Sequence, residues 1–255
     1  MVKLICYNVE YCKGNEGLWY QYLQFWKVFR RPKKLDQKIL EKLKPIDPDI
    51  VALIEVDTGS FRAHKDDVVF FEKGLHMKSF VEKMQYPFIS WIKLFSYIPL
   101  MNQHSNGAIS KYQFEDVKYH ELSSGVKRIV VEATVRCPKP ITLLIAHLSL
   151  GKGSRTKQIK DLIKIINKCK HPVILMGDLN TVHGTGEMES LLQKTHLNDK
   201  FKINPFSLRK TFPTWSPNRR LDYILTSQKI KVKDYRVLDF HFSDHRPLFI
   251  EFDVK

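Results

Sequence analysis

The sequence contains few residues of the kinds that mark disulfide-rich or membrane-spanning proteins. Only four of its 255 residues are cysteine, and these four lack the paired spacing of a zinc site: Cys6, Cys12, Cys137 and Cys169. A chain of this length does not need disulfides to fold, so we expect reduced thiols and a cytoplasmic protein. The most apolar stretch, residues 86–101, is interrupted by charge and proline and is too short to span a bilayer. A disulfide scaffold, a zinc finger and a helical membrane protein are therefore disfavoured.

Acidic residues are also scarce. The chain has 27 Asp and Glu against 42 Lys and Arg, a net charge of +15. Such a field attracts polyanions: nucleic acid, anionic membrane surfaces or small phosphorylated molecules. The lysines are spread along the chain, however, so a merely basic surface is an equally good interpretation. The sequence indicates no obligate protein partner.

Apolar runs alternate with amphipathic segments along the whole chain. Strands are predicted at Val2–Asn8 and 49–56, and a helix between them at 35–44. Further strands are predicted at 126–135, 141–146, 172–176, 221–226 and 247–252, with a helix at 154–168. Since 43% of residues are hydrophobic and no composition break marks a linker, we predict a single layered α/β domain over residues 1–255.

Several of these apolar runs begin or end at a polar residue. Side chains at strand ends project from the rim of a sheet, where ligand clefts form. Each residue alone is more often a turn former or a helix cap, but their number is hard to ascribe to chance. The set is Asn8, Glu55, His147, Asp178, Asn180, Asp222, Asp244 and His245.

The chemistry of this set favours a hard metal ion. It offers carboxylate and amide oxygen with imidazole and no thiolate, which suits Mg²⁺ or Mn²⁺. Glu55 is the first choice of ligand, sharing the site with Asn8 and Asp244. The alternative for Glu55 is a solvated residue after a strand.

An acid–base pair is predicted beside the metal. His245 is a candidate general base, provided that a carboxylate orients its ring. Asp222 is the candidate carboxylate, unless it merely pairs with Arg219 or Arg220. His147, Asp178 and Asn180 would then surround the phosphoryl group or its attacking water. For His147, a histidine simply hydrogen-bonded in place is the alternative.

Seven motifs in order resemble the endonuclease/exonuclease/phosphatase superfamily: YNVE, DPDIVALIEVD, NGAISKY, IAHLSL, GDLN, RRLDYILTS and SDHRPL. The resemblance covers essentially the whole chain. It implies a four-layer α/β sandwich of two packed, mostly antiparallel β-sheets flanked by helices. It also implies hydrolysis of phosphoester bonds with Mg²⁺ or Mn²⁺, in which Asn8, Glu55 and Asp244 are metal-side residues and His245, Asp222, His147, Asp178 and Asn180 are catalytic.

Two differences from the abasic-site endonucleases of this superfamily indicate which subtype the chain does not resemble. Abasic-site endonucleases carry Gln before the glutamate and Lys two residues after it, where this chain has Ile54 and Asp57. They also carry Tyr at the position of His147. That DNA-repair role is therefore disfavoured, and the chain looks most similar to a broad prokaryotic branch of the superfamily.

Two further residues are weaker candidates for substrate binding. Asn106 lies where the family approaches the phosphate, although a turn-forming Asn-Gly is an equal alternative. Arg155 matches a recurring Arg-x-x-Gln with Gln158, and bracing of the preceding loop is the favoured interpretation of that pair.

The substrate is the open question. The aromatic and basic stretch 19–34 favours a nuclease, because it offers base stacking and phosphate contacts. The apolar stretch 88–101 favours a phosphodiesterase for lipid headgroups at a membrane surface. For both stretches, an inserted helix or strand that completes the core is the alternative. Nucleic acid is the preferred substrate; phospholipid headgroups or small phosphorylated metabolites come next, and a non-catalytic polyanion-binding protein is a remote third.

Overall fold

The computed structural model describes residues 1–21, 23, 31–60, 63, 65–85, 104–203 and 206–255. The stretch 88–101 lies outside these residues, as does much of the stretch 19–34. The predictions made for both stretches therefore stay predictions.

Two six-stranded sheets form the centre of the molecule, with strands numbered along the chain. The first has the order β11-β12-β1-β2-β4-β3 and consists of β1 (Val2–Asn8), β2 (Ile50–Asp57), β3 (Ser79–Met84), β4 (His104–Ser110), β11 (Ile230–Val237) and β12 (Leu248–Val254). The second has the order β5-β6-β7-β8-β10-β9 and consists of β5 (Phe114–Glu121), β6 (Ile129–Cys137), β7 (Lys139–Ala146), β8 (Val173–Asp178), β9 (Leu197–Asn198) and β10 (Asp222–Ser227). Only the pairs β1–β2 and β7–β8 are parallel among these strands.

Helices cover the outer face of each sheet. Within the described ranges they are α1 (Leu35–Leu43), α2 (Asp67–Gly74), α3 (Lys152–Ile166) and α4 (Glu189–Lys194). In α1 the buried residues recur at helical spacing, so that one stripe faces the sheet. In the described part of the chain, no helix has both the length and the apolar character needed to cross a membrane.

Three apolar clusters hold these layers together. The inner cluster draws on both sheets: Leu4, Ile50 and Ile54 come from the first sheet, and Leu143 and Ile174 come from the second. A second cluster joins the first sheet to α1 and α2, and a third joins the second sheet to α3 and α4. Each fully buried aliphatic side chain contributes roughly 1.5–3 kcal/mol. The predicted four-layer α/β sandwich is confirmed.

The strand directions gather polar residues at one end of the sandwich. Because β1 and β2 are parallel, Asn8 and Glu55 lie at the same edge of the first sheet. In the second sheet, β8 ends at Asp178 directly opposite Asp222, where the antiparallel β10 begins. β1 and β8 also contact each other across the interior. The ends of both sheets therefore form one rim.

Candidate active site

An irregularity in β2 determines the direction of the Glu55 side chain. The register between β2 and β4 shifts between Leu53 and Val56, and Glu55 has a left-handed φ of 56°. A bulge of this kind re-aims a side chain at a local cost of about 1–3 kcal/mol. Asn106 supports it, because its Oδ1 accepts the backbone N–H of Glu55 at 3.2 Å.

Asn106 lies inside β4, so the turn proposed as the alternative for its Asn-Gly pair is wrong. Gly107 instead allows a close approach of strands, since a Cβ there would lie 2.7 Å from the carbonyl oxygen of Val81. The Nδ2 of Asn106 is buried and has no hydrogen-bond partner among the described residues. A buried amide donor beside Glu55 is well suited to an anionic ligand.

Asp178 and Asn180 follow a close approach between the parallel neighbours β7 and β8. Gly177 has φ +138°, and a Cβ on it would lie 1.9 Å from the carbonyl oxygen of Ala146. The backbone N–H of Asn180 donates to Asp178 Oδ1 at 3.0 Å, and its Nδ2 donates to the carbonyl oxygen of Leu148 at 2.7 Å. Both side chains are therefore fixed at the rim.

His245 and Asp222 form the predicted pair. His245 Nδ1 lies 2.8 Å from Asp222 Oδ2, and both side chains are buried. The alternative partner, Arg220, makes a bidentate pair with Asp199 instead, at 2.6 and 2.9 Å. Burial lowers the pKa of His245, but the charges of Asp222 and Asp178 raise it well above its ordinary value.

The loop that carries Asp244 and His245 is bonded to its surroundings. Ser243 Oγ donates to the carbonyl oxygen of Asn8 at 2.7 Å, and Thr214 N–H donates to that of Asp244 at 3.0 Å. The ring of Phe212 lies 5.1 Å from that of His245. These contacts hold Asp244 and His245 against the end of β1.

Asp178 joins the two halves of the site. Its Oδ2 accepts a hydrogen bond from Asn8 Nδ2 at 3.1 Å and lies 3.3 Å from His147 Nε2 and 3.8 Å from His245 Nε2. Burial raises the pKa of Asp178, but the charges of His245 and His147 outweigh it and the net pKa is lowered. An ionised carboxylate therefore faces the free nitrogen of His245.

Lys127 belongs to the site although no sequence motif indicated it. Its ammonium lies 3.0 Å from Glu55 Oε1 and also contacts His147 Nε2. Burial raises the pKa of Glu55, but the charges of Lys127 and His147 lower it to about 2. For His147, burial and the Lys127 charge lower the pKa. The other ring nitrogen of His147 contacts the buried amide of Gln85, which the sequence reasoning also missed.

Glu10 is a third residue that was missed. It follows Asn8 by two residues and is buried; one carboxylate oxygen accepts from Asn15 Nδ2 at 2.7 Å. The other has no hydrogen-bond partner among the described residues. Burial and the charges of Asp244 and Glu55 raise the pKa of Glu10 to about 8. A polar residue just beyond a strand, within the same YNVE motif, was the signal available in the sequence.

One group of side chains brings possible ligand atoms for a divalent cation close together. Asp178, Asp222 and His245 bring ligand atoms within 4.8 Å of one another. Asp222 Oδ2, however, is already used by His245 Nδ1. The predicted ligands Glu55 and Asp244 act on buried Glu10 through their charges, but these three residues are not among the groups whose ligand atoms come within 4.8 Å in the described part of the chain. Carboxylate oxygens of this kind suit Mg²⁺ or Mn²⁺.

Arg155 does not reach this site. It is completely buried and donates to the carbonyl oxygens of Ser149 and Leu150 at 2.9 and 2.7 Å, and to Glu187 at 2.6 Å. Substrate binding by Arg155 is therefore a wrong expectation, since its donors hold the loop after β7. Gln158 assists by accepting from Ser149 N–H at 2.9 Å.

Comparison with known proteins agrees with the fold. The sequence model of the Endonuclease/Exonuclease/phosphatase family matches residues 7–245. A comparison with curated proteins gave no match to the sequence. The chain belongs to the Endonuclease/Exonuclease/phosphatase family, and it is a hydrolase of phosphoric esters.

Solved structures share this fold at low sequence identity. An endonuclease/exonuclease/phosphatase from Beutenbergia cavernae is 16% identical with a TM-score of 0.76, covering 99% of this chain and 71% of that one. A mannosyl-6-phosphatase from Bacteroides thetaiotaomicron is 14% identical with a TM-score of 0.70, covering 99% and 100%. The human Nocturnin catalytic domain with bound sulfate is 18% identical with a TM-score of 0.67, covering 100% and 93%.

Proposed function

We propose that the chain is a Mg²⁺- or Mn²⁺-dependent phosphodiesterase that acts on nucleic acid. The single observation that carries the reaction is the buried His245–Asp222 pair, whose free ring nitrogen faces Asp178 at 3.8 Å. The family is generally dependent on divalent metal, which supports the cofactor. A cytoplasmic location stays a prediction, and the four free thiols are consistent with it.

Each residue of the site has its own proposed role in the reaction. His245 Nε2 accepts a proton from the attacking water while the new bond from oxygen to phosphorus forms and the bond to the leaving oxygen breaks. Asp222 holds the Nδ1–H and stabilises the imidazolium. Asp178 and Asn180 orient the water and the phosphoryl group. Lys127 places positive charge beside the phosphoryl oxygens, and His147 contacts its ammonium there.

The metal site we favour consists of Asn8, Glu10, Glu55 and Asp244. A divalent cation held there would neutralise charge on the phosphoryl oxygens. It would also offset the carboxylates around His245 and lower the pKa of that ring. Glu10 is an addition to the ligands predicted from the sequence.

The positive net charge of the chain is the reason for preferring nucleic acid as the substrate. The chain carries a net +15, and a duplex presents a dense row of phosphates to such a surface. A mannosyl-6-phosphatase among the structural neighbours supports the second candidate, a small phosphorylated metabolite. Lipid headgroups remain the third, and the complete set of polar residues argues against a non-catalytic binder.

A substrate panel tests this proposal. We expect plasmid, single-stranded DNA or RNA to be cleaved in Mn²⁺ or Mg²⁺, faster than sugar phosphates or phospholipid vesicles. Survival of all three nucleic acids with turnover of a sugar phosphate or a phospholipid would overturn the nuclease and retain the hydrolase. Failure to turn over any member, with tight binding of nucleic acid, would overturn the hydrolase.

A further inference from the structure

A cavity of about 530 Å³ lies at the end of the second sheet that faces away from the candidate active site. Its lining includes Val173, where β8 begins, and Ser227, where β10 ends; the backbone N–H of Val173 donates to Ser227 Oγ at 2.8 Å. Asp178 and Asp222 lie at the other ends of the same two strands. At about 3.3 Å per residue, roughly 16 Å of β8 separate the cavity from Asp178. The cavity is therefore separate from the candidate active site.

The lining of this cavity is basic. Three exposed lysines and two histidines contribute to it: Lys170, Lys194, Lys229, His171 and His196. No aspartate or glutamate stands among the described residues that line it. Burial and the charge of Glu132 raise the pKa of the Cys169 thiol, which also lines the cavity, to about 11, so this thiol adds no negative charge. The cavity therefore has a positive potential that attracts anions.

Two helices end at the cavity and reduce this potential only in part. α3 ends at Ile166 and α4 ends at Lys194, and both residues line the cavity. A helix C-terminus carries roughly half a negative charge, so the two ends offset about one of the three lysine charges and leave about two. Stabilisation of helix ends is an ordinary structural role for lysine, but here it accounts for the smaller part of the charge.

The shape and the walls of the cavity indicate the size of its ligand. The described lining comes from three short segments, residues 166–173, 194–197 and 227–229, and includes the apolar side chains of Ile166, Pro172 and Leu197. This volume, with apolar walls and a few polar groups, is typical of sites for small molecules. A polynucleotide instead needs a basic groove that follows its backbone. Phosphate oxygens are strong acceptors for ammonium groups, so the cavity fits a small molecule with phosphate groups and an apolar or aromatic part.

We infer that this cavity binds a small phosphorylated molecule of the nucleotide class, whose phosphate groups contact Lys170, Lys194 and Lys229. The site is distinct from the rim that carries His245 and Asp222. The inference goes beyond the proposed function, because it holds whichever phosphoester the rim hydrolyses.

A titration of the whole chain with ATP tests the location of this site. The buffer is freed of divalent cations, so that neither metal binding nor turnover at the rim contributes. Nuclear magnetic resonance follows the imidazole signals of the histidines. We expect ATP to shift the signals of His171 and His196 and to leave those of His147 and His245 in place. Shifts confined to His147 and His245, or no shift at all, would overturn the inference.

Calorimetry on a lysine variant tests the contacts. Replacing all three lysines, as Lys170→Gln, Lys194→Gln and Lys229→Gln together, should weaken ATP binding at least about tenfold, because charge-assisted hydrogen bonds to phosphate are lost. All three side chains are exposed, so the fold should be retained. The matched control replaces three exposed helix lysines outside the lining: Lys42→Gln, Lys157→Gln and Lys160→Gln. Equal ATP affinity in the cavity variant and in this control would contradict the inference.

Competition with a short single-stranded oligonucleotide separates a nucleotide site from a nucleic-acid surface. We expect the oligonucleotide to displace ATP only weakly. An oligonucleotide that binds more tightly than ATP through the same three lysines would make the cavity part of a nucleic-acid surface, and the inference would be wrong. Because these measurements involve neither metal nor hydrolysis, their failure leaves the proposed function intact, and a failure of the proposed function leaves them unchanged.

Discussion

At the scale of single residues, the role of Asp222 depends on where its neighbour Arg220 goes. Arg220 is almost fully buried and is bound at both ends of its guanidinium by Asp199. Asp222 is thereby left to His245, and its carboxylate fixes which ring nitrogen carries the proton. The buried Arg220–Asp199 ion pair outside the site therefore leaves the Asp222 carboxylate available to orient the His245 ring.

Asp222→Asn tests this assignment. The amide keeps the shape but no longer stabilises the imidazolium, so kcat should fall by about 10²–10⁴-fold. Mn²⁺ affinity should stay near that of wild type, because Asp222 is not in the favoured metal group. The matched control is Asp239→Asn, which alters an exposed Asp–His pair with His241. Loss of Mn²⁺ binding in Asp222→Asn would instead place the metal in the Asp178–Asp222–His245 group.

The predictable part of the site consists of residues that end buried strands. Asn8, Asp178 and Asp222 follow or begin apolar runs, so their placement at one rim follows from strand direction. Lys127 lies in the stretch 126–135, which was predicted as a strand although β6 begins only at Ile129, and Gln85 follows the unpredicted strand β3, so neither drew notice as a residue near His147. Residues next to a predicted strand are found from the sequence, whereas residues next to an unpredicted strand or strand end are missed.

At the scale of elements, most central strands were predicted and the edge strands were missed. β1 was predicted with its observed bounds, because both its faces are buried and its residues are apolar. The edges of the two sheets, β11, β3, β5 and β9, were not predicted. β5 is exposed along most of its length, and β11 carries the exposed charged residues Lys231, Lys233 and Arg236. Charge at a sheet edge protects it from pairing with other chains and obscures the alternation that would predict a strand.

Gly177 offers a test at this scale. A methyl group there would meet the carbonyl oxygen of Ala146 and would need a φ that side chains avoid. Gly177→Ala should therefore lower the free energy of unfolding by at least about 3 kcal/mol and reduce activity by displacing Asp178.

Gly153→Ala is the control, measured by the same urea titration. This glycine lies in α3 with open space around its Cβ position, so alanine should stabilise by up to about 1 kcal/mol. Equal stability of Gly177→Ala and wild type would contradict the close approach of β8 to β7 at Gly177.

At the scale of the whole molecule, the two sheets each contribute one half of the site. Asn8, Glu55 and Asp244 come from the first sheet or the loop before β12, whereas His147, Asp178 and Asp222 come from the second. The inner cluster packs side chains of both sheets together and so holds the two halves of the site in a fixed relative position. The single domain over residues 1–255 stays a prediction, which this shared core supports.

The net charge predicts that binding of nucleic acid depends on the salt concentration. If the basic surface contacts duplex phosphates, binding should weaken at least about tenfold between 50 and 200 mM NaCl, since each contact releases counterions. Fluorescence anisotropy with the Glu55→Gln variant measures binding without cleavage. The KM for a small diester should change far less over the same range. Equal, weak salt dependence of both would remove nucleic acid as the preferred substrate.

The most direct test of the whole account is hydrolysis of bis-p-nitrophenyl phosphate by wild type and Glu55→Gln. We predict that EDTA abolishes the wild-type rate and that added Mn²⁺ or Mg²⁺ restores it. Glu55→Gln, folded with an unchanged far-ultraviolet spectrum, should stay inactive with either metal because it lacks the central metal-binding carboxylate. A wild-type rate that persists in EDTA, or a Glu55→Gln rate near that of wild type, would contradict the account.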